Sequence, residues 1–194
     1  PDATIDWLVQ SEFTDAIAGH PAISQVLPFP RNVLRRWYTP TGIKHFIALC
    51  RMLQQKKYDL VIDCQGLGRS GFLTWMTGAH RRIGPSNARE YGWLGYTDRV
   101  EVTSEHTVDK MLELVNRLGI QKLQDMKLYT KKIDQMWWEK YSEEHGIDNY
   151  VVLAPTSRWK SKQWPVNRFI EVARNIQEHG YKVVIVGSPG ELQQ

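Results

Sequence analysis

The chain has 194 residues, 42% of them hydrophobic, with a formal net charge of +4. That length allows one large domain or two small ones, with enough apolar content for a packed core, and the mild positive charge favours acidic partners. No apolar run matches a membrane span, no run of Lys or Arg suggests a nucleic-acid tail, and the two cysteines lack metal-ligand spacing, so Cys50 and Cys64 read as packed thiols of a reducing compartment.

Strands and helices alternate along the chain. Residues Thr4 to Val9 read as a strand, Ser11 to Ala18 as a helix with Gly19 past its end, and Gln25 to Phe29 as a second strand closed by prolines. Thr41 to Lys57 carries a helical stripe of Ile43, Phe46, Ile47, Leu49, Cys50 and Leu53. Tyr58 to Asp63 lacks polar alternation, as expected of a strand covered on both faces. A helix over Leu67 to Met76, short strands at Arg81 to Gly84 and Arg99 to Val102, and a helix over His106 to Leu118 follow. The last of these turns Val108, Met111, Leu112, Val115 and Leu118 one way. Gln121 to Tyr129 is weakly patterned; Ile133 to His145 reads as a helix ended by Gly146.

A fresh apolar strand, Tyr150 to Leu153, opens the second part, followed by a helix from Pro165 to His179, a strand from Lys182 to Val186 and the first turn of another helix at Glu191 to Gln194. Such alternation predicts parallel sheets with helices on both faces. The expected boundary falls between residues 146 and 147. Two strands and one helix bury too little for a domain core, so the sequence reads as a fragment.

The richest stretch for chemistry is the loop from Leu153 to Pro165. It holds three hydroxyls (Thr156, Ser157, Ser161) and three cations (Arg158, Lys160, Lys162) ahead of a helix start. Free amides, the helix dipole and an ammonium together favour an anion such as phosphate. A solvated basic loop has the same composition, and the residues alone leave both readings open.

A second pattern, Gly66-Leu67-Gly68-Arg69-Ser70-Gly71, matches the dinucleotide fingerprint, and Arg81 and Arg82 on the next strand suit a 2′-phosphate. Against it, two strands precede the motif and no acidic residue ends the next strand. Arg89 and Glu90 sit in a loop rich in glycine and aromatics, lining an anion pocket or forming a surface ion pair. His106 stands near a helix start, and the six histidines form no metal-like grouping.

Four stretches carry a resemblance. They are Pro1 to Val9, Tyr58 to Leu67 with Arg69 and Ser70, Ala88 to Glu90, and the loop through Trp164-Pro165; Val184 to Glu191 adds to them. Together they resemble the lipopolysaccharide heptosyltransferases of glycosyltransferase family 9, in particular the type I enzymes that add heptose to Kdo. The resemblance implies a GT-B fold of two Rossmann-like, doubly wound α/β domains. Residues 1–146 would be the acceptor-binding domain without its first strand, and 147–194 the truncated start of the nucleotide-sugar domain.

It further implies an inverting transfer of L-glycero-D-manno-heptose from ADP-heptose to Kdo-lipid A, without cofactor or obligatory metal, at the cytoplasmic face of a Gram-negative inner membrane. By position, Thr156, Ser157, Lys162 and Glu191 match the donor-binding residues. Gln65, Arg69 and Arg89 suit the anionic acceptor. The catalytic Asp of the family would precede Pro1, so the fragment itself is expected to be inactive. An NADP-dependent oxidoreductase and a non-catalytic sugar- or nucleotide-binding module remain as rival readings.

Overall fold

The computed structural model describes residues 3–36, 38–121, 123, 127–157 and 159–187. Pro1, Asp2, Arg158 and everything from Ser188 onward, including Glu191, lie outside the described residues. The chain forms two compact units, parting between Tyr129 and Thr130.

In the first unit, β1 (Asp6–Gln10) pairs in parallel with β2 (Gln25–Phe29). β3 (Leu60–Ile62), β4 (Arg81–Pro85) and β5 (Asp98–Val100) form a second parallel sheet in that order. Parallel pairing requires crossover connections. α1 (Thr14–Ile17) lies in the crossover from β1 to β2 and α4 (Gly68–Met76) in that from β3 to β4, while α2 (Arg31–Leu34) and α3 (Pro40–Gln55) lead from the first sheet to the second. α5 (Thr107–Asn116) closes the unit.

Local chemistry sets these boundaries. Thr39 caps α3, its hydroxyl accepting the Gly42 N–H at 3.1 Å, with Pro40 at the first helical position. The single helix expected over Ser11 to Ala18 is instead a 3-10 turn, Ser11–Phe13, running into α1. There the Thr14 hydroxyl donates to the Ser11 carbonyl at 3.0 Å and competes with a regular helical start.

Two clusters form the core of this unit. Leu27 and Phe29 of β2 pack with Leu49 and Leu53 of α3 and Leu73 of α4. Ile83, Val100 and Leu114 make the other, from β4, β5 and α5. The stripe expected on α3 is split: Leu49, Cys50 and Leu53 are buried, whereas Ile43 and Ile47 face solvent. On α5 the most buried side chain is Leu114, outside the expected stripe, while Val108 is exposed.

The second unit holds α6 (Lys132–Glu144), β6 (Tyr150–Leu153), α7 (Val166–Glu178) and β7 (Lys182–Ile185), with β6 and β7 parallel. α6 belongs with this unit, not with the first as a boundary after Gly146 would have it. The Trp138 ring of α6 meets Tyr150 of β6 edge-on at 5.1 Å, and the Lys182 ammonium of β7 donates to the Gly146 carbonyl just past α6. Among the described residues of this unit none is fully buried, which follows from two strands presenting so little sheet for helices to cover.

Asp6 ties β1 to the end of α3. Its carboxylate accepts from the Tyr58 hydroxyl at 2.8 Å and pairs with Lys56 at 2.9 Å. Burial disfavours the charged form, but the bonds from Lys56 and Tyr58 outweigh it and hold the Asp6 pKa below its ordinary 3.8. A carboxyl with a depressed folded-state pKa adds stability that is complete above the ordinary value and is lost as pH falls through the folded one. Asp6→Asn is therefore expected to cost about 1–3 kcal/mol at neutral pH. The difference from the parent chain should shrink in acid, and urea melts at neutral and acid pH measure both.

Candidate functional site

In the first unit, polar residues gather at the carboxyl end of β3, where ligands bind in parallel α/β sheets. The chain leaves β3 through Asp63, whose residue surface is only 5% exposed. Its Oδ1 accepts the N–H groups of Gln65 at 2.8 Å and Gly66 at 3.2 Å. Its Oδ2 accepts the Tyr96 hydroxyl at 2.6 Å. Gly66 has φ +64°, a left-handed turn that glycine adopts without strain. Tyr96 reaches Asp63 by lying against Gly84 of β4, where a Cβ would stand 2.3 Å from the ring.

These contacts shift the neighbouring titrations. Burial, with the Asp63 bond and charge behind it, raises the Tyr96 phenol far above its ordinary value. Burial pushes the Cys64 thiol up to about 11, with the Asp63 charge adding to it.

A second segment clamps onto this turn. The Arg89 N–H donates to the Gly66 carbonyl at 2.9 Å. Glu90 and Tyr91 both take left-handed backbones, at φ 56° and 58°. For non-glycine residues that costs about 1–3 kcal/mol each and marks an over-determined site. The turn delivers the Glu90 carboxylate to the Gly68 N–H at 3.3 Å, at the first residue of α4. Ser70 completes the helix end: its hydroxyl accepts from Leu67 N–H at 3.0 Å and donates to the Leu67 carbonyl at 2.9 Å.

This geometry corrects the dinucleotide reading. A Cβ on Gly71 would lie 2.1 Å from the Gly92 carbonyl oxygen, and one on Gly68 2.5 Å from that of Glu90. These glycines let α4 and the 3-10 turn Gly92–Gly95 touch backbone to backbone. The helix N-terminus that a diphosphate would occupy already holds a carboxylate. Arg82, expected at a 2′-phosphate, donates to the carbonyls of Gly95, at 2.8 Å, and Ala79.

Gln65, Arg69 and Arg89 do come together on this rim. Gln65 lies in the Asp63 turn, Arg69 is the second residue of α4, and Arg89 is bonded through its backbone to Gly66. All three are exposed. The Arg69 guanidinium stands 5.3 Å over the Phe29 ring. Arg89 and Glu90 form no ion pair with each other; Glu90 turns instead to α4. His106 is exposed at the start of α5, 3.8 Å from Asp109.

In the second unit the candidate loop leaves β6 and returns at α7. It folds into a 3-10 turn, Lys160–Lys162. The Gln163 side chain donates to the Ser157 carbonyl at 2.8 Å and closes the loop on itself. Trp164 packs edge-on against Phe169 of α7 at 5.2 Å. Pro165 is the N-cap residue of α7, one place before the expected first turn, and its carbonyl accepts the Arg168 N–H at 3.0 Å. Thr156 and Ser157 are half-buried, while Lys160 and Lys162 are exposed with no hydrogen bond or ion pair to their side chains among the described residues. Glu191 lies outside those residues.

Among the described residues no group of three or more His, Cys, Asp or Glu is placed to hold a metal ion, and no helix is long and apolar enough to cross a membrane.

The parallel α/β units are Rossmann-like, and their likeness to solved heptosyltransferases places the chain in the GT-B class. The profile of "Glycosyltransferase family 9 (heptosyltransferase)" matches residues 46–193, and the chain belongs to that family. It is similar to lipopolysaccharide heptosyltransferase 3 of Escherichia coli K12, 27% identical over 97% of this chain and 56% of the relative. Against lipopolysaccharide heptosyltransferase 1 of Pseudomonas aeruginosa it is 25% identical over 100% of this chain and 55% of the relative. The solved E. coli heptosyltransferase WaaC with ADP superposes with a TM-score of 0.79 at 27% identity, over 98% of this chain and 61% of that one. The chain thus spans little more than half the length of these relatives.

Sequence reasoning missed Tyr96 as the partner of Asp63, 33 residues away, because no local pattern links them. The only hint was a tyrosine in a loop already marked by its glycines. Tyr96→Phe should leave a buried carboxylate oxygen unpaired and lower stability by about 1–3 kcal/mol. With the Cys64 pKa at about 11, little thiolate forms at mildly alkaline pH, so Cys64 should alkylate slowly in the folded chain and quickly in urea. Mass spectrometry after timed iodoacetamide exposure reads this directly.

Proposed function

We propose that this chain belongs to a glycosyltransferase moving L-glycero-D-manno-heptose from ADP-heptose to the Kdo of the lipopolysaccharide inner core. The family match over residues 46–193 carries the reading. The similar WaaC was solved with ADP, which supports the donor, and the names of the relatives support a lipopolysaccharide acceptor. In the reaction, an acceptor hydroxyl oxygen attacks the anomeric carbon while the bond from that carbon to the diphosphate oxygen breaks. The hydroxyl proton passes to a general base, ADP departs with the bonding electrons, and a single displacement inverts the centre. The general base is assigned to no residue of this chain.

On the donor side we assign Lys162 to the diphosphate, with Thr156 and Ser157 contributing hydroxyls or amides and Glu191 a carboxylate to the donor. Fixed cations and amides would take up the leaving-group charge without an obligatory metal. On the acceptor side Gln65, Arg69 and Arg89 would bind the anionic Kdo region, and the enzyme would work at the cytoplasmic face of the inner membrane.

The donor assignment is tested in the full-length protein. Lys162→Ala should weaken ADP-heptose binding by about 1.5–3 kcal/mol, roughly ten- to a hundredfold, as expected for a lost charge-assisted hydrogen bond. Lys160→Ala is the control and should behave like the parent. A crippled Lys160→Ala beside a normal Lys162→Ala would move the site by two residues, and two normal variants would reduce the loop to a basic surface.

The acceptor assignment predicts a different kinetic signature. Arg69→Ala and Arg89→Ala should raise the acceptor KM about tenfold each while leaving donor affinity unchanged. Steady-state kinetics with deacylated Kdo-lipid A separates the two. An effect confined to the donor would contradict the assignment.

A further inference from the structure

We propose that the outer face of α3 and α4 is a docking surface for an anionic lipid bilayer. The first observation is charge. From Ala16 to Tyr58 there is no Asp or Glu, while the same stretch carries seven Lys and Arg residues: Arg31, Arg35, Arg36, Lys44, Arg51, Lys56 and Lys57. Lys56 is neutralised by Asp6, and Arg31 is bonded to Gln10. Lys44 and Arg51 on α3 are exposed and form no ion pair among the described residues.

The second observation is apolar. Ile43 and Ile47 are 45% and 43% exposed, and Phe72 and Trp75 of α4 are 41% and 54% exposed. They are not scattered. Phe46 of α3 stacks on Phe72 at 5.8 Å, and Phe72 meets Trp75 at 5.8 Å, so a ring ladder joins the two helices. Beside it, Ile43, Lys44, Ile47 and Arg51 border one shallow groove, with a cation within a turn of each isoleucine.

Single exposed apolar residues need no explanation, but a joined patch on an already well-cored helix does. α3 has its own buried face in Leu49, Cys50 and Leu53, so Ile43, Ile47 and the rings add nothing to that core. Aromatic and aliphatic side chains interspersed with unpaired cations, with no carboxylate on either helix, match the interface of an anionic membrane. Apolar groups enter the headgroup boundary while Lys and Arg meet lipid phosphates. An acidic protein partner would satisfy the cations but leave the ring ladder without a counterpart of known shape, whereas a bilayer accommodates both.

The inference rests on the proposed placement at the membrane face and deepens it, and because its test contains no acceptor sugar its failure is distinct from a failure of the transferase reading. The full-length protein is sedimented with vesicles of phosphatidylethanolamine and phosphatidylglycerol, and with vesicles of phosphatidylcholine alone. Binding to the anionic vesicles, weakened by salt, is expected. Lys44→Gln with Arg51→Gln should reduce partitioning about 30-fold, from about fivefold per cation. Ile47→Ser with Trp75→Ser, both at exposed positions, should reduce it comparably while circular dichroism and melting stay unchanged.

Equal binding to both vesicle types, or none, would overturn the proposal. So would a serine pair that binds like the parent, since the patch would then be only a basic surface. Should the protein prove dimeric, with Trp75→Ser rendering it monomeric, the face would be a contact between copies and the lipid assignment would fail.

Discussion

The first unit depends on one buried carboxylate. Asp63 carries three hydrogen bonds, two from its own turn and one from Tyr96. A polar group so removed from water is tolerated only when its lone pairs are filled. The two N–H groups fix the turn that positions Gln65. The Tyr96 hydroxyl anchors the far end of the segment that carries Arg89. Above Asp63 the Arg89–Gly66 and Glu90–Gly68 bonds join the same two loops, so the rim is tied at its surface and also from below, by a residue that no ligand on the surface need touch.

The glycines around that turn show how one pattern serves two ends. A glycine fingerprint at a strand–helix turn can admit a diphosphate or admit another stretch of backbone. Here Gly71 and Gly95 are consumed by mutual contact, and Glu90 fills the helix end. A carboxylate on that dipole is favourable and makes the same place hostile to phosphate. On the proposed acceptor reading, anion recognition on this rim would fall to the side-chain charges of Arg69 and Arg89 rather than to helix amides. Such cations tolerate variation in where a sugar carboxylate sits, which a rigid amide cradle does not.

Most strands and long helices are legible in the sequence because their signals are local: apolar runs for β2 and β6, a threonine cap and a proline for α3, and terminal glycines for α5 and α6. What escapes is tertiary. Ile43 and Ile47 fit the period of the α3 stripe, yet it is Leu49, Cys50 and Leu53 that are buried, because periodicity cannot say how wide a face the sheet covers. The closing Gly146 groups α6 with the first unit, whereas its Trp138 packs on Tyr150 of the second. The proposed donor loop is suggested by composition and the proposed acceptor rim by placement, but the Asp63–Tyr96 link has no signature in either.

The two candidate sites also differ in what holds them. The rim of the first unit is underwritten by buried residues, whereas the loop of the second stands on a unit with no fully buried described residue and is closed by the Gln163–Ser157 bond. That closure bears on which lysine serves the loop. In a 3-10 turn successive residues rotate by about 120°, so Lys160 and Lys162 diverge by about a third of a turn and do not share one direction. Lys162 immediately precedes Gln163, whose side chain reaches back to the carbonyl of the half-buried Ser157. Lys160 stands at the opposite end of the turn, next to the exposed Trp159. On the proposed donor reading the two lysines would therefore not serve one anion equally, and the closure through Gln163 favours Lys162, its neighbour in sequence.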